Sequence, residues 1–185
     1  MENEVRTLSA SPLMAPAISS QGMAYPWFAV VIRSSQANLA STALQRLGYE
    51  LFQPARTVRR QWSDRVKVIL EPLFPGYLFC RFDPQNRLPV LTAPGVLSIV
   101  SVGRKLLPVD DGEIETIRTL LHSRSPVNPH PYLKAGQRVR IEGGALGGVE
   151  GLLIAVRNEY RVIASITILQ RSVSVEIDPA RLRRL

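Results

Sequence analysis

Apolar and polar positions change their period along the chain, and each change marks an element. The run WFAVVI, residues 27–32, is dense in aromatic and β-branched residues and predicts a strand. In RSSQANLASTALQRLG the period lengthens. Leu39, Ala43, Leu44 and Leu47 share a helical face, Ser34 or Ser35 can cap its start, and Gly48 is placed to end it. YELFQP returns to strand. TVRRQW and RVKVILE read as the arms of a hairpin turning at Ser63 and Asp64, with Val66, Val68 and Leu70 alternating with Lys67 and Ile69. In LPVDDGEIETIRTLLHS, Asp110 and Glu113 have capping-box spacing, and Ile114, Ile117, Leu120 and Leu121 form the apolar stripe of a second helix.

The stretch EPLFPGYLFCRFD, residues 71–83, breaks the usual rule for a half-solvated strand. Alternation puts Leu78, Cys80 and Phe82 on one face and Tyr77, Phe79 and Arg81 on the other, so both faces carry rings. Either the chain buries both faces itself or a partner covers one.

Residues 124–132, RSPVNPHPY, hold three prolines and neither period, and they read as a stiff linker. Beyond them QRVRI, EGLLIAV, RVIASITIL and SVSVEID are short, closely spaced strands with EGGALGG as flexible turns, a pattern that predicts a small β-barrel. The expected layout of this α+β chain is a tail over 1–24, a first domain over 25–123, the linker over 124–132 and a barrel over 133–185.

Composition narrows the function. No uninterrupted apolar run is long enough to span a bilayer, and the first residues lack the basic start and apolar core of a secretory signal. The single cysteine, Cys80, cannot form an internal disulfide and fits a buried thiol in a reducing cytoplasm. The formal charge is +8, and only Lys67, Lys105 and Lys134 of the 23 basic residues are lysines. An arginine-rich surface suits phosphate or an acidic protein partner, although a solvated basic face is an equally ordinary outcome. Enzyme chemistry finds little material. His122 and His130 stand at a helix end and in the proline segment, Asp110 and Asp111 are accounted for by a helix start, and no metal-ligand spacing or cofactor fingerprint is present.

WFAVVI, PLFPGYLFCRFD, APGVLSIVSVG with LPV after it, a proline segment and KAGQRVRIEGGALGGVEGLL occur in the order seen in the NusG family of transcription elongation factors. The resemblance covers residues 25–185. EPLFPGYLFCRFDP and LQRSVSVEID are most similar to the specialised antiterminators of the RfaH and UpxY type. It implies an amino-terminal NGN domain, an antiparallel sheet with helices on one face, and a carboxy-terminal SH3-like KOW β-barrel. It also implies a cytoplasmic, non-enzymatic factor without cofactor that binds bacterial RNA polymerase at its clamp helices.

The resemblance assigns Tyr77 and Phe79 to the polymerase-docking surface, with Leu78, Cys80 and Phe82 turned to their own helices. Trp27 and Phe28 match the aromatic pair of the first strand, and Asn86, Arg87 and Leu88 match by spacing a loop that meets the other side of the polymerase cleft. Arg33 matches a basic position near exposed non-template or upstream DNA. Apart from the resemblance, the hairpin's Arg59, Arg60, Arg65 and Lys67, with Trp62 among them, suit phosphate contact or base stacking, or form a solvated tip. Leu169 stands where NusG carries a phenylalanine that meets Rho or a small-subunit ribosomal protein. The smaller leucine argues against Rho and leaves a ribosome contact open, or else belongs to the barrel core. The alternatives are a general NusG-type factor and a ribosome-associated KOW protein.

Overall fold

The first apolar run becomes the centre of a sheet. In the computed structural model, which describes residues 25–62, 65–123, 125–132, 136–156 and 159–185, β1 (Trp27–Ile32) leads through a 3-10 turn into α1 (Ala37–Arg46). There follow β2 (Glu50–Phe52), a hairpin of β3 (Ala55–Gln61) and β4 (Val66–Pro72), β5 (Tyr77–Arg81), α2 (Leu88–Leu91) and β6 (Val96–Ile99). A small ribbon of β7 (Ser101–Val102) and β8 (Lys105–Leu106), then β9 (Pro108–Val109) and α3 (Asp111–His122), complete the first lobe. The main sheet runs β2-β5-β1-β6 with β9 also paired to β1, and these pairings are antiparallel. The turn expected at Ser63 and Asp64 lies outside the described residues.

Two proline-glycine pairs fix the strand entrances by one mechanism. The Tyr77 amide donates to the Phe74 carbonyl at 3.1 Å, and the Val96 amide to the Ala93 carbonyl at 3.1 Å. Proline sets the first central residue of each turn, and Gly76 and Gly95 take φ of +84° and +85°, which side-chain-bearing residues avoid. Both turns feed the end of β1, since the amides of Ile32 and Arg33 donate to the carbonyls of Gly76 and Gly95.

α1 ends as expected. Gly48 and Tyr49 donate to the carbonyls of Gln45 and Leu44, a Schellman closure with Gly48 in the left-handed region. Its start and buried face differ from the sequence reading. No serine side chain caps it, and the inward residues are Ala40 and Leu44, while Leu39 is 49 % exposed. The turn at Gly95 presses against Gln36 and Ala40, and a small residue is what that close approach requires. In α3 the cap is the predicted one: Asp110 accepts from the amides of Gly112 and Glu113, and Ile114, Ile117 and Leu120 are fully buried.

The second lobe is β10 (Val127–Pro131), β11 (Gln137–Ile141), β12 (Glu150–Val156), β13 (Glu159–Ile166), β14 (Arg171–Ile177) and β15 (Leu182–Arg184), in the order β10-β14-β13-β12-β11-β15. The last five strands in sequence form an SH3-like meander in which β15 returns to β11. Val139, Ile141, Val162, Ala164, Ile166, Val173 and Val175 point inward by alternation. Gly151 lets β12 and β13 meet, since a Cβ there would run into the Ile163 carbonyl and the Val162 side chain.

Residues 124–132 hold a strand as well as prolines. β10 pairs along β14 from Val127↔Val175 to Pro131↔Arg171 and buries Val127. Pro129 and Pro131 lack an N–H but stand on the outermost strand, where a missing donor costs the ladder nothing. The expected linker is therefore partly barrel sheet. Among the described residues no helix is long and apolar enough to cross a membrane.

Candidate functional site

Cross-strand register sorts the main sheet into two faces. Phe28↔Cys80 and Val30↔Leu78 lie on one, Trp27↔Arg81 and Ala29↔Phe79 on the other. The first face is closed by α1 and α2: Phe28, Val30, Ile32, Leu78, Cys80, Phe82 and Ile99 form one buried cluster with Ala40, Leu44 and Val90. Phe28 and Phe82 stack at 4.7 Å, with Tyr49 edge-on to Phe82 at 6.3 Å. Cys80 is fully buried here, and burial, then the nearby Glu50 carboxylate, push its thiol up to about 12. A thiol held neutral is a packing group and no nucleophile.

The second face is built from rings and guanidinium groups. Phe79 is fully buried between Phe52, 6.1 Å away, and Phe74, edge-on at 5.8 Å. Trp27 has Arg81 at 4.8 Å and Arg118 at 5.2 Å from its ring centre, and Arg118 also lies 5.1 Å over Phe52. Arg118 donates to Glu50 at 3.2 Å and to Glu115 at 2.8 Å, and Arg81 donates to Asp111 at 3.0 Å. These contacts hold α3 on this side of the sheet. Trp27 Nε1 and Arg81 Nε are buried and have no hydrogen-bond partner within the chain as described.

The barrel lies over what remains of this face. The apolar cluster containing Trp27, Phe74, Phe79, Ile114 and Ile117 continues without a break into Val127, Val139, Val162, Val173 and Val175. At its margin the guanidinium of Arg171, at the start of β14, sits 5.4 Å over the Tyr77 ring. From α3, the Glu113 carboxylate accepts from the Thr167 amide at 3.1 Å and its hydroxyl at 2.5 Å. Arg56 donates to Asn128 of β10. Beside the Glu113 clasp an open cleft of about 760 Å³ remains between α3 and the barrel, lined by Asp110, Thr116, Arg138 and Glu150 among others. Both faces of β5 are thus buried within the chain, the first by its own helices and the second mainly by α3 and the other lobe.

A family model described as "Transcription termination factor nusG" matches residues 25–118, which span the sheet and most of α3. The chain belongs to the NusG family. Its similarity extends over both lobes. NusG of Thermus thermophilus, named a transcription termination/antitermination protein, is 25 % identical over 177 residues, covering 84 % of this chain and 96 % of that one. NusG of Borreliella burgdorferi, named likewise, is 25 % identical over 142 residues, covering 68 % and 74 %. The solved structure of Thermotoga maritima NusG superposes with a TM-score of 0.51 at 23 % identity, over 86 % of this chain and 97 % of that chain.

In this NusG-family chain the residues singled out from sequence fall into separate places. Tyr77, Phe79 and Trp27 share the second face, with Tyr77 half-buried and the other two fully buried. Phe28 does not join them. Alternation turns it to the α1 side, where Phe82 and the first face's own core enclose it. Asn86, Arg87 and Leu88 are exposed at a 3-10 turn leading into α2, whose Val90 belongs to the first-face cluster. Arg33 is exposed just after β1. Arg59 and Arg60 lie on opposite faces of the ribbon: Arg60, across from Lys67, reaches Glu71 at 2.8 Å, Lys67 lies 5.3 Å over Trp62, and Arg59 is on the other face. Leu169 is half-buried against the shared cluster.

Sequence reading missed Glu113, Thr167 and Arg171 as contacts between lobes. Glu113 looked like a capping-box residue, and its carboxylate goes to Thr167. No local pattern pairs residues this far apart, so no sequence signal was available for them. Phe74 could have been found, since it opens the turn into the strand that the aromatic alternation marks, whereas Phe52 reaches Phe79 only through the β2–β5 pairing.

Proposed function

We propose that this chain is a transcription elongation and antitermination factor of the cytoplasm, a specialised paralogue of the RfaH and UpxY type, that binds elongating RNA polymerase through the second face of its sheet. The observation that carries this reading is the aromatic face at Trp27, Tyr77 and Phe79 that the sheet's own α1–α2 layer leaves to another lobe. A face of this kind suits the clamp helices of the polymerase once the barrel has lifted, and the names of the relatives as termination/antitermination proteins support a role in transcription.

Two lobes serve two purposes in this proposal. Residues 25–123 dock on the polymerase, with Arg33 and the Arg60–Lys67 side of the β3–β4 ribbon near upstream or non-template DNA. Residues 133–185, freed from the face, offer the surface around Leu169 to a second partner such as a small-subunit ribosomal protein, Rho being disfavoured by the leucine. The Thermotoga maritima NusG structure was described for its domain interaction, and the closed arrangement here supports the same kind of contact with the barrel in its β form. Closure lowers the apparent affinity of the docking face by the fraction of molecules that are open, so a partner that binds only the open form draws the equilibrium over. A bound factor bridging the polymerase clamp would in turn disfavour the opened, paused enzyme.

The test is binding of the full chain to purified RNA polymerase core enzyme. Glu113→Ala removes the clasp on Thr167 and is expected to raise affinity about fivefold. Tyr77→Ala added to it is expected to lower affinity by tenfold or more, on the order of an interface aromatic. Affinity indifferent to both changes would remove the docking assignment.

A further inference from the structure

The β3–β4 ribbon presents a face that neither lobe covers. Register places Thr57↔Leu70, Arg59↔Val68 and Gln61↔Val66 opposite each other, so these six side chains lie on one side. Val66, Val68 and Leu70 are 57 %, 61 % and 75 % exposed. Arg59 stands beside the middle of this aliphatic row and has no ion-pair partner within the chain as described. The opposite side is different. There Arg56 and Arg60 converge on Glu71, holding its carboxyl below the ordinary carboxylate range, and Arg56 reaches on to Asn128 at the ribbon's base.

This division decides between two kinds of ligand. A nucleic-acid strand is met by a cation for each phosphate and by rings for the bases. Among the described strand residues the open face offers one cation and three aliphatic side chains, and the ribbon's tryptophan is at the tip with Lys67 over it. Exposed aliphatic rows are what protein interfaces bury, and a lone arginine among them selects a carboxylate. The row from Val66 to Leu70 is about 13 Å long, the length of roughly two and a half turns of helix.

We infer that the open face of the ribbon is a second protein-docking surface, which takes a segment of the polymerase bearing aliphatic side chains and a carboxylate set against Arg59. The inference rests on the reading of this chain as a polymerase-binding factor, but on none of the residues of the covered face.

The test places p-benzoylphenylalanine at Val68, and separately at Tyr77, in the full chain, and irradiates each with purified core polymerase in the presence and absence of a DNA–RNA scaffold. Position 68 is expected to cross-link to a polymerase polypeptide without any scaffold, within an apolar segment containing Asp or Glu. A cross-link from position 68 to the scaffold strands, or to a second copy of the chain, overturns the inference. Cross-linking from position 77 alone overturns it and leaves the polymerase reading standing, while none from either position overturns both. In parallel, Val68→Ser with Leu70→Ser, and separately Arg59→Glu, are expected to weaken binding to scaffold-free core enzyme about tenfold, with Arg59→Lys within about threefold of the parent. These positions are exposed, so the fold is kept, and unchanged affinity in the serine pair would also overturn the surface.

Discussion

The two faces of one sheet are both buried, yet they are buried by different chemistry. The face under α1 and α2 is closed by Phe28, Leu78, Cys80, Phe82, Ala40 and Leu44, apolar groups drawn from within the first lobe and bordered by two short turns. The face under α3 and the barrel mixes rings with Arg81, Arg118 and Arg171, is clasped by one glutamate on one threonine, and leaves an open cleft at its edge. A core that never opens gains nothing from charged groups, which cost desolvation unless paired. An interface that opens needs side chains that tolerate both water and contact. Burial alone does not separate the two faces: Phe79 and Phe82 are equally inaccessible, and it is the chemistry of their covers that differs.

The widest separation between the faces comes from Phe82→Ala. It opens a cavity in the closed core and should cost roughly 3 to 5 kcal/mol, seen as a large fall in the thermal midpoint. Phe79→Ala should cost less, because the lobe above it can swing away instead of leaving a void, and its small-angle scattering should show an expanded chain. Equal losses with no expansion would make the second face a permanent core. Next in size, Thr167→Val should shift closure by about 1 kcal/mol through the lost hydroxyl bond to Glu113 while leaving the midpoint of the first lobe unmoved. Arg171→Ala removes a single cation over the Tyr77 ring at an exposed margin, a change of about 0.5 to 1 kcal/mol readable as increased hydrogen exchange in β14.

The smallest effect at ordinary pH concerns Cys80. Its folded-state pKa is raised, so the stabilisation from a neutral buried thiol is fully present below the unfolded value near 9.0 and is lost as pH rises towards about 12. At pH 8 iodoacetamide should leave Cys80 unmodified until denaturant is added. Prompt alkylation of the native chain would show that the first face opens too.

Much of this was legible in the residues. Alternation in YLFCR assigns both faces of β5 correctly, the two Pro-Gly pairs specify their turns, and the stripe of Ile114, Ile117 and Leu120 gives the buried side of α3. The β10 strand was hidden because prolines erase the alternation by which strands are recognised, and they are tolerated there only because the strand lies at an edge. The inward face of α1 was misread because the choice of Ala40 over Leu39 depends on a turn some 55 residues further along the chain. Sequence also grouped Arg59 with Arg60, although strand period alone would have put them on opposite sides of the ribbon. That the barrel covers the aromatic face could not be read at all, since surfaces from distant parts of a chain meet through shape and charge that no local pattern records.

For polymerase to occupy the second face, the barrel must first leave it. Cysteines placed by Glu113→Cys and Thr167→Cys, bridged by a short bismaleimide, would hold the lobes together, with Cys80 spared by its burial. Binding of this tethered chain to RNA polymerase core enzyme is the direct measurement, against the same variant capped singly at each cysteine. The tethered chain is expected to fail to bind, and the capped, untethered chain to bind at least as well as the parent. Equal binding by the tethered and untethered chains would contradict that requirement.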